Sequence, residues 1–281
     1  MEWVVTLNPF TDHAQQQKGD SMALVYFDPF SGLSGDMIVG AFLDVGVPFD
    51  VVHQSVRQLG IRGLDVGCQR TIRHGVAATK FEVAWPMADP PVHRHLPEIL
   101  SLVENSGLDS SVQDLARTIF VKLGQVEAEI HGETLSGVHL HEVGAEDSLA
   151  DIVAAAASLV WLKPHRVVVG PINLGAGFMH SAHGCYPVPG PATLALLKGF
   201  VAYQDGPRAE LATPTGAAIV AAVGIPGVMP LMTVKSVGYG AGQRDLCRPN
   251  VLRVVVGEDC DSATGPGQAK AVPGQPGMKI G

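Results

Sequence analysis

The chain has 281 residues, 46% of them hydrophobic and only 16% charged, which is enough apolar material for one large core and leaves room for two lobes. A formal net charge of −8 gives no basic footprint for nucleic acid or an anionic membrane surface, and suits a small cationic ligand better. The four cysteines (Cys68, Cys185, Cys247, Cys260) make no CxxC pair, so neither a disulfide framework nor a zinc knuckle is indicated, and a reducing cytoplasm is the expected compartment.

Residues 1–21 lack the basic start and apolar stretch of a leader and read as a disordered extension, with the folded part opening at Met22. ALVYFD is a buried-strand pattern, SGDMIVGAFLDVG a helix with a glycine stop, and VPFDVVHQSVRQLG a second helix closed by Gly60. GLDVGCQRTIRHGVAATKFEVAW predicts a hairpin turning at His74 and Gly75. The proline-rich PMADPPVHRHLP breaks the pattern, and a lobe boundary is allowed near 86–95. Two helices follow, LPEILSLVENSG and SSVQDLARTIFVKLGQVEAEIHG, the second with caps on offer at 109–111. A third begins near Ala145, and its run DIVAAAASLVWL is too short to span a bilayer. The second half mixes strands (RVVVGPINL, TVKSVGYG, NVLRVVV) with helices (PATLALLKG, PTGAAIVAAV). The Gly- and Pro-rich end, 257–281, reads as disordered. The predicted class is α+β, a mixed sheet with packed helices whose strand order the pattern does not give, folded over 22–256.

The densest chemistry lies in GVHLHEVGAEDSLADI. If GVHLH is extended, His139 and His141 share a face. Glu142 and Glu146 follow, and Asp147 and Asp151 stand one helical turn apart. Imidazole plus carboxylate suits nickel, zinc, cobalt or iron. The same acids also fit a capped helix with a favoured acidic first turn, and both readings stay open. In DPFSGLSGDM, Ser31, Gly32, Ser34, Gly35 and Asp36 lie between a strand end and a helix start, where amides cradle anions. No GK[ST] ending makes it a Walker loop, and a tight strand-to-helix turn is the plain alternative. Thr213, Thr215 and Gly216 of ELATPTGAAIV likewise fit either a phosphate or a helix cap. MHSAHGCYPVP adds His180, His183 and Cys185, and HRH at 93–95 reads first as a surface loop.

In order and spacing, FDPFSGLSGDM, HRHLPEI, HLHEVGAEDSLADI, HGCYPVPGPAT, ELATPTGAAI and GYGAGQRD...PNVLR resemble the nickel insertion proteins of the LarC family, from about Met22 to Gly257. The resemblance implies a CTP-dependent nickel chelatase that completes a nickel-pincer nucleotide by metallating pyridinium-3,5-bisthiocarboxylic acid mononucleotide, the product serving lactate racemase and similar enzymes. It further implies His139, His141, Glu142, Asp151 and His183 as nickel carriers, and Glu142 or Asp147 as the base. Ser31, Gly32, Ser34, Gly35, Asp36, Thr213, Thr215 and Gly216 are the expected substrate cradle, with Asp28 and Asp36 available to a divalent ion. Mg2+ or Mn2+ with CTP is expected in a C-terminal family domain that this sequence lacks. A recipient apo-racemase and that domain are the implied partners, a homo-oligomer is allowed, and no nucleic acid or membrane is implied. The sequence departs from the family in having no long histidine-rich run before HRHL, and in the extra His180. The residues also admit a nickel-delivery module whose chemistry lies in the other domain, or a metal-dependent phosphoester hydrolase.

Overall fold

The computed structural model describes residues 23–85, 94–138, 140, 146–181 and 184–260. In chain order these form β1 (Ala23–Asp28), α1 (Gly35–Val45), α2 (Phe49–Gln58), β2 (Asp65–Arg73), β3 (Val76–Ala84), α3 (Leu96–Glu104), α4 (Ser110–His131), α5 (Glu146–Leu162) and β4 (Arg166–Val169). There follow β5 (Ile172–Asn173), β6 (Phe178–Ser181), β7 (Gly184–Pro187), α6 (Pro191–Leu196), β8 (Ala202–Tyr203), α7 (Pro214–Val223), β9 (Ile225–Pro226), β10 (Met232–Ala241) and β11 (Val251–Asp259).

Alternation along β1 sets the architecture. Val25 and Phe27 point into the main core, while Leu24 and Tyr26 join a separate small cluster with Val168 and Val255 on the other face. β1 lies inside a seven-stranded sheet of order β2-β3-β10-β11-β1-β4-β9. It pairs antiparallel with β11 and parallel with β4, so the sheet is mixed, as expected from the sequence. β2 and β3 precede the proline-rich segment and β10 and β11 follow it, so one sheet runs across the lobe boundary that the prolines suggested.

Helices cover one face of this sheet. α1 lies against β10, where a Cβ on Gly240 would come within 2.6 Å of the Ala41 amide, so only glycine lets the helix approach this closely. Phe42 from the same helix meets Phe27 edge-on at 5.7 Å. α5 is buried on nearly every side, from Leu149 to Leu159, because α1, α2, α4 and α7 all pack on it. Its alanines are the reason so many neighbours fit: short side chains bring helix axes together. The expected caps hold at α1, which stops at left-handed Gly46, and at α4, where the Asp109 carboxylate accepts from the Ser111 amide at 2.9 Å.

Two expectations change. RVVVGPINL is not one strand: it breaks at Gly170–Pro171, and β5 leaves the large sheet to pair with β8. Proline has no N–H for the ladder, which fits a break there. At the C-terminal end β11 continues past residue 256, pairing Gly257 with Leu24 and Glu258 with Ala23. Asp259 is buried beside His165 and Arg166, each at 3.4 Å. Residues 1–22 and 261–281, where the extension and tail were expected, lie outside the described residues. All four cysteines are free, and no described helix is long and apolar enough to cross a membrane.

Candidate functional site

Two loops far apart in sequence are zipped together to start the site. The Leu33 amide donates to the Leu211 carbonyl at 2.9 Å, and the Thr213 amide donates to the Leu33 carbonyl at 3.0 Å. Gly32 makes this possible: it sits at φ +85, and a Cβ there would lie 2.5 Å from Leu211 Cβ. The chain then turns into α1 from one loop and into α7 from the other. Thr213 caps α7 by accepting from the Gly216 amide at 3.3 Å, with Pro214 at the first helical position. Gly216 packs on Leu33, with room for no side chain.

The third wall comes from α5. Ser148 and Thr215 share a hydrogen bond at 3.2 Å, which ties α5 to α7. Asp151 presses on the start of α1 so closely that a Cβ on Gly35 would lie 2.6 Å from its Cβ. The N-terminal turns of α1, α5 and α7 therefore open on one cavity of about 380 Å³, lined by Ser34, Asp36, Asp147, Asp151, Glu210 and Arg244 among others. Their positive dipole ends make a concentration of acids tolerable there.

The acids are not ordinary ones. Burial pushes the Asp36 carboxyl up, opposed by hydrogen bonds from the Ser34 hydroxyl and the Met37 amide, the latter at 2.8 Å. Asp151 is held well above the usual carboxylate range, first by burial and then by the charges of Asp36 and Asp147, with the Asp36 amide pulling the other way. Its Oδ1 is buried with no hydrogen-bond partner among the described residues. Asp147 is exposed overall, but partial desolvation of its carboxyl and then the charge of Glu146 push it up. Glu146 itself is buried and taken by Arg94 at 2.7 Å. A buried acid without its own cation, beside a second and third acid, is a site that lacks positive charge.

The cavity brings together Ser34, Gly35, Asp36, Asp147, Asp151, Thr213 and Thr215. Ser31, Gly32 and Gly216 do not line it: Ser31 is fully buried, and the two glycines serve the contacts with Leu211 and Leu33. Asp28, offered with Asp36 for a divalent ion, does not line the cavity that holds Asp36. Asp28 falls on the opposite side of the sheet in the alternation of β1, where Arg253 holds its carboxylate through Nε at 2.9 Å. His95 caps α3 together with Glu98, and its Nδ1 lies 3.2 Å from the Gly137 carbonyl. His139, His141, Glu142 and His183 lie outside the described residues. Among the described residues, no three His, Cys, Asp or Glu side chains are grouped to hold a metal ion.

Glu210, Gln243, Arg244 and Asn250 also line the cavity and were not singled out from the sequence. Glu210 and Arg244 sit inside the motifs ELATPTGAAI and GYGAGQRD, whose recurrence as motifs was the one available signal.

The profile of the nickel insertion protein family matches residues 25–272. A protein of Geobacillus kaustophilus named pyridinium-3,5-bisthiocarboxylic acid mononucleotide nickel insertion protein is 42% identical over 248 residues, covering 85% of this chain and 60% of its own length. A protein of the same name from Desulfitobacterium hafniense is 42% identical over 245 residues, covering 87% of this chain and 60% of its own. A relative from Syntrophotalea carbinolica, whose name also places it among nickel insertion proteins, is 45% identical over 237 residues, covering 84% and 60%. The chain thus spans about three fifths of the length of the curated relatives it matches. No solved structure matches it significantly. With the matched profile covering most of the chain, including every element that lines the cavity, this protein belongs to the nickel insertion protein family.

Proposed function

We propose that this chain provides the cavity in which nickel is inserted into pyridinium-3,5-bisthiocarboxylic acid mononucleotide, the compound named in two of its relatives. The observation that carries this reading is the acidic cavity at the meeting of three helix starts, in a member of the nickel insertion family. Its volume of about 380 Å³ falls in the range that takes a small ligand.

The reaction needs a metal carrier and a base. Nickel(II), a substrate here, must bond to two thiocarboxylate sulfurs and to the ring carbon between their attachment points. That carbon–hydrogen bond breaks, its electron pair forms the nickel–carbon bond, and the proton leaves to a base. Carboxylate and imidazole ligands can hold nickel and yield it to the softer sulfurs. We assign carriage of nickel to Asp151 with His139, His141, Glu142 and His183. Asp147 and Glu142 are the candidates for the base, and the raised proton affinity of Asp147 suits it to that role. Ser34, Gly35, Asp36, Thr213 and Thr215 would position the substrate.

CTP with Mg2+ or Mn2+ is assigned to the part of the longer relatives that this chain does not span. In this reading the product passes to an apo-racemase in the cytoplasm. The test uses substrate deuterated at the ring carbon, incubated with nickel, CTP and Mg2+, with this chain alone and with the remaining part of a longer relative added. Loss of deuterium coupled to nickel uptake, abolished by replacing both His139 and His141 with alanine in a folded protein, supports the assignment. Deuterium loss that survives the double substitution places nickel on other residues, and no loss under any condition contradicts the reading.

A further inference from the structure

The motif GYGAGQRD is left without a role by the reading above, and its loop is built with care. Between β10 and β11 the chain contributes Gln243, Arg244, Leu246 and Asn250 to the lining of the cavity. Asn250 is buried, and its Nδ2 donates to the Arg244 carbonyl at 2.9 Å. The Gly242 amide donates to the Asn250 carbonyl at 3.0 Å, which closes the loop at its base. From outside, the tip of the β2–β3 hairpin grips the same loop: Arg73 donates to the Gly242 carbonyl through Nε at 3.3 Å and Nη2 at 3.2 Å, and His74 meets the Leu246 carbonyl. Arg244 Nη1 then donates to the carbonyl of Glu210, another lining residue, at 3.2 Å.

The charge at this position is distinctive within the cavity. Arg244 is the one cation among the described residues that line the cavity. Arg70, Arg94, Arg166, Arg248 and Arg253 are each paired with a described carboxylate, whereas Arg244 has no such pair among the described residues. It is exposed, so its remaining donors face whatever enters. A mononucleotide brings a phosphate, an anion that the wall of Asp36, Asp147 and Asp151 would repel. Phosphate held by the cation and nickel held by the aspartates would avoid that repulsion. A guanidinium fork on an anchored loop is suited to gripping phosphate oxygens in pairs.

We propose that Arg244 anchors the phosphate of the mononucleotide and so sets which way round the pyridinium ring lies, with its sulfur-bearing edge toward Asp147 and Asp151. The inference rests on the functional reading above and adds the phosphate subsite to it. Arg73 and His74 are positioning residues, acting through the loop.

The test compares binding of three probes by calorimetry: nicotinic acid mononucleotide, its riboside without phosphate, and CTP. Each is titrated into the wild-type chain, Arg244→Ala and Arg244→Lys. The wild type is expected to prefer the mononucleotide over the riboside. Arg244→Ala should lose roughly 10- to 100-fold in mononucleotide affinity, the range for a charge-assisted hydrogen bond, while the riboside is unaffected. Arg244→Lys should recover part of the loss, since it restores charge without the fork. An Arg244→Ala chain that keeps the preference for phosphate overturns the assignment, as does a loss confined to CTP. A wild-type chain that binds the riboside as well as the mononucleotide overturns the phosphate subsite alone. One that binds neither overturns the pyridinium reading, and the subsite with it. Among the described residues the Arg244 side chain donates to one backbone carbonyl, and circular dichroism of each variant checks that the fold is intact.

Discussion

Replacing Gly35 by alanine tests the joint on which the cavity depends. A Cβ built on Gly35 lies 2.6 Å from Asp151 Cβ, 2.7 Å from Asp151 Cγ and closer still to Oδ2. Carbon atoms in good contact stand about 3.5–4.0 Å apart, so α1 and α5 would have to separate by several tenths of an ångström or more. Neither helix can do so freely, because α1 is locked against β10 through Gly240 and α5 is packed on four sides. Overpacking of this kind costs about 1–3 kcal/mol, set against a gain of roughly 0.5–1 kcal/mol from replacing glycine in a helix. The expected net loss is therefore on the order of 1–2 kcal/mol. It should appear as a lower midpoint in urea at an unchanged slope. Asp151→Ala in the same chain removes Cγ and Oδ2 from the clash but not Cβ, so the double variant should recover part of the loss through a measurable coupling. An additive double variant, or a Gly35→Ala chain as stable as wild type, would show that α1 and Asp151 do not meet as described.

Two further outcomes follow from the buried acids. Asp151 has its proton affinity raised by folding, so the folded chain binds more protons than the unfolded one above the ordinary aspartate range near pH 4. Stability associated with this group is present below that range and is lost as pH rises through the folded value; Asp151→Asn, which cannot ionise, should flatten the decline and add roughly 1–3 kcal/mol at pH 8 in metal-free urea unfolding. Asp44 is buried and accepts from Arg70, from Thr79 Oγ1 at 3.1 Å and from the Tyr239 amide at 2.8 Å. Asp44→Ala should cost about 2–4 kcal/mol by leaving these donors unpaired, read from the same unfolding curves at pH 7.

Local structure was legible wherever a short-range rule applied. The strand ALVYFD, the His74–Gly75 turn, the glycine stop after α1 and the Asp109 cap all follow from periodicity or turn chemistry. β5, β8 and β9 are two residues each, too short to show a period, and strand order depends on pairings that no local window contains. The site was legible in part for the same reason. Asp147 and Asp151 stand one turn apart on a helix, and the sequence shows that directly. That Asp151 would meet Gly35, or that Leu33 would pair with Leu211, depends on tertiary packing across more than a hundred residues. Arg244 was missed because an arginine in a glycine-rich turn carries no local signal, and only the folded loop brings it into the lining of the cavity.

If nickel is held at the acidic wall of this cavity as proposed, the metal itself can be seen there. Anomalous scattering at the nickel edge, from crystals soaked in nickel, locates the metal and names its ligands in one experiment. Nickel is expected at the mouth of the cavity, bonded to a carboxylate oxygen of Asp147 or Asp151 and to an imidazole from His139 or His141. Nickel found only on histidines away from the cavity, with Asp147 and Asp151 unliganded, would rule the acidic wall out as its carrier.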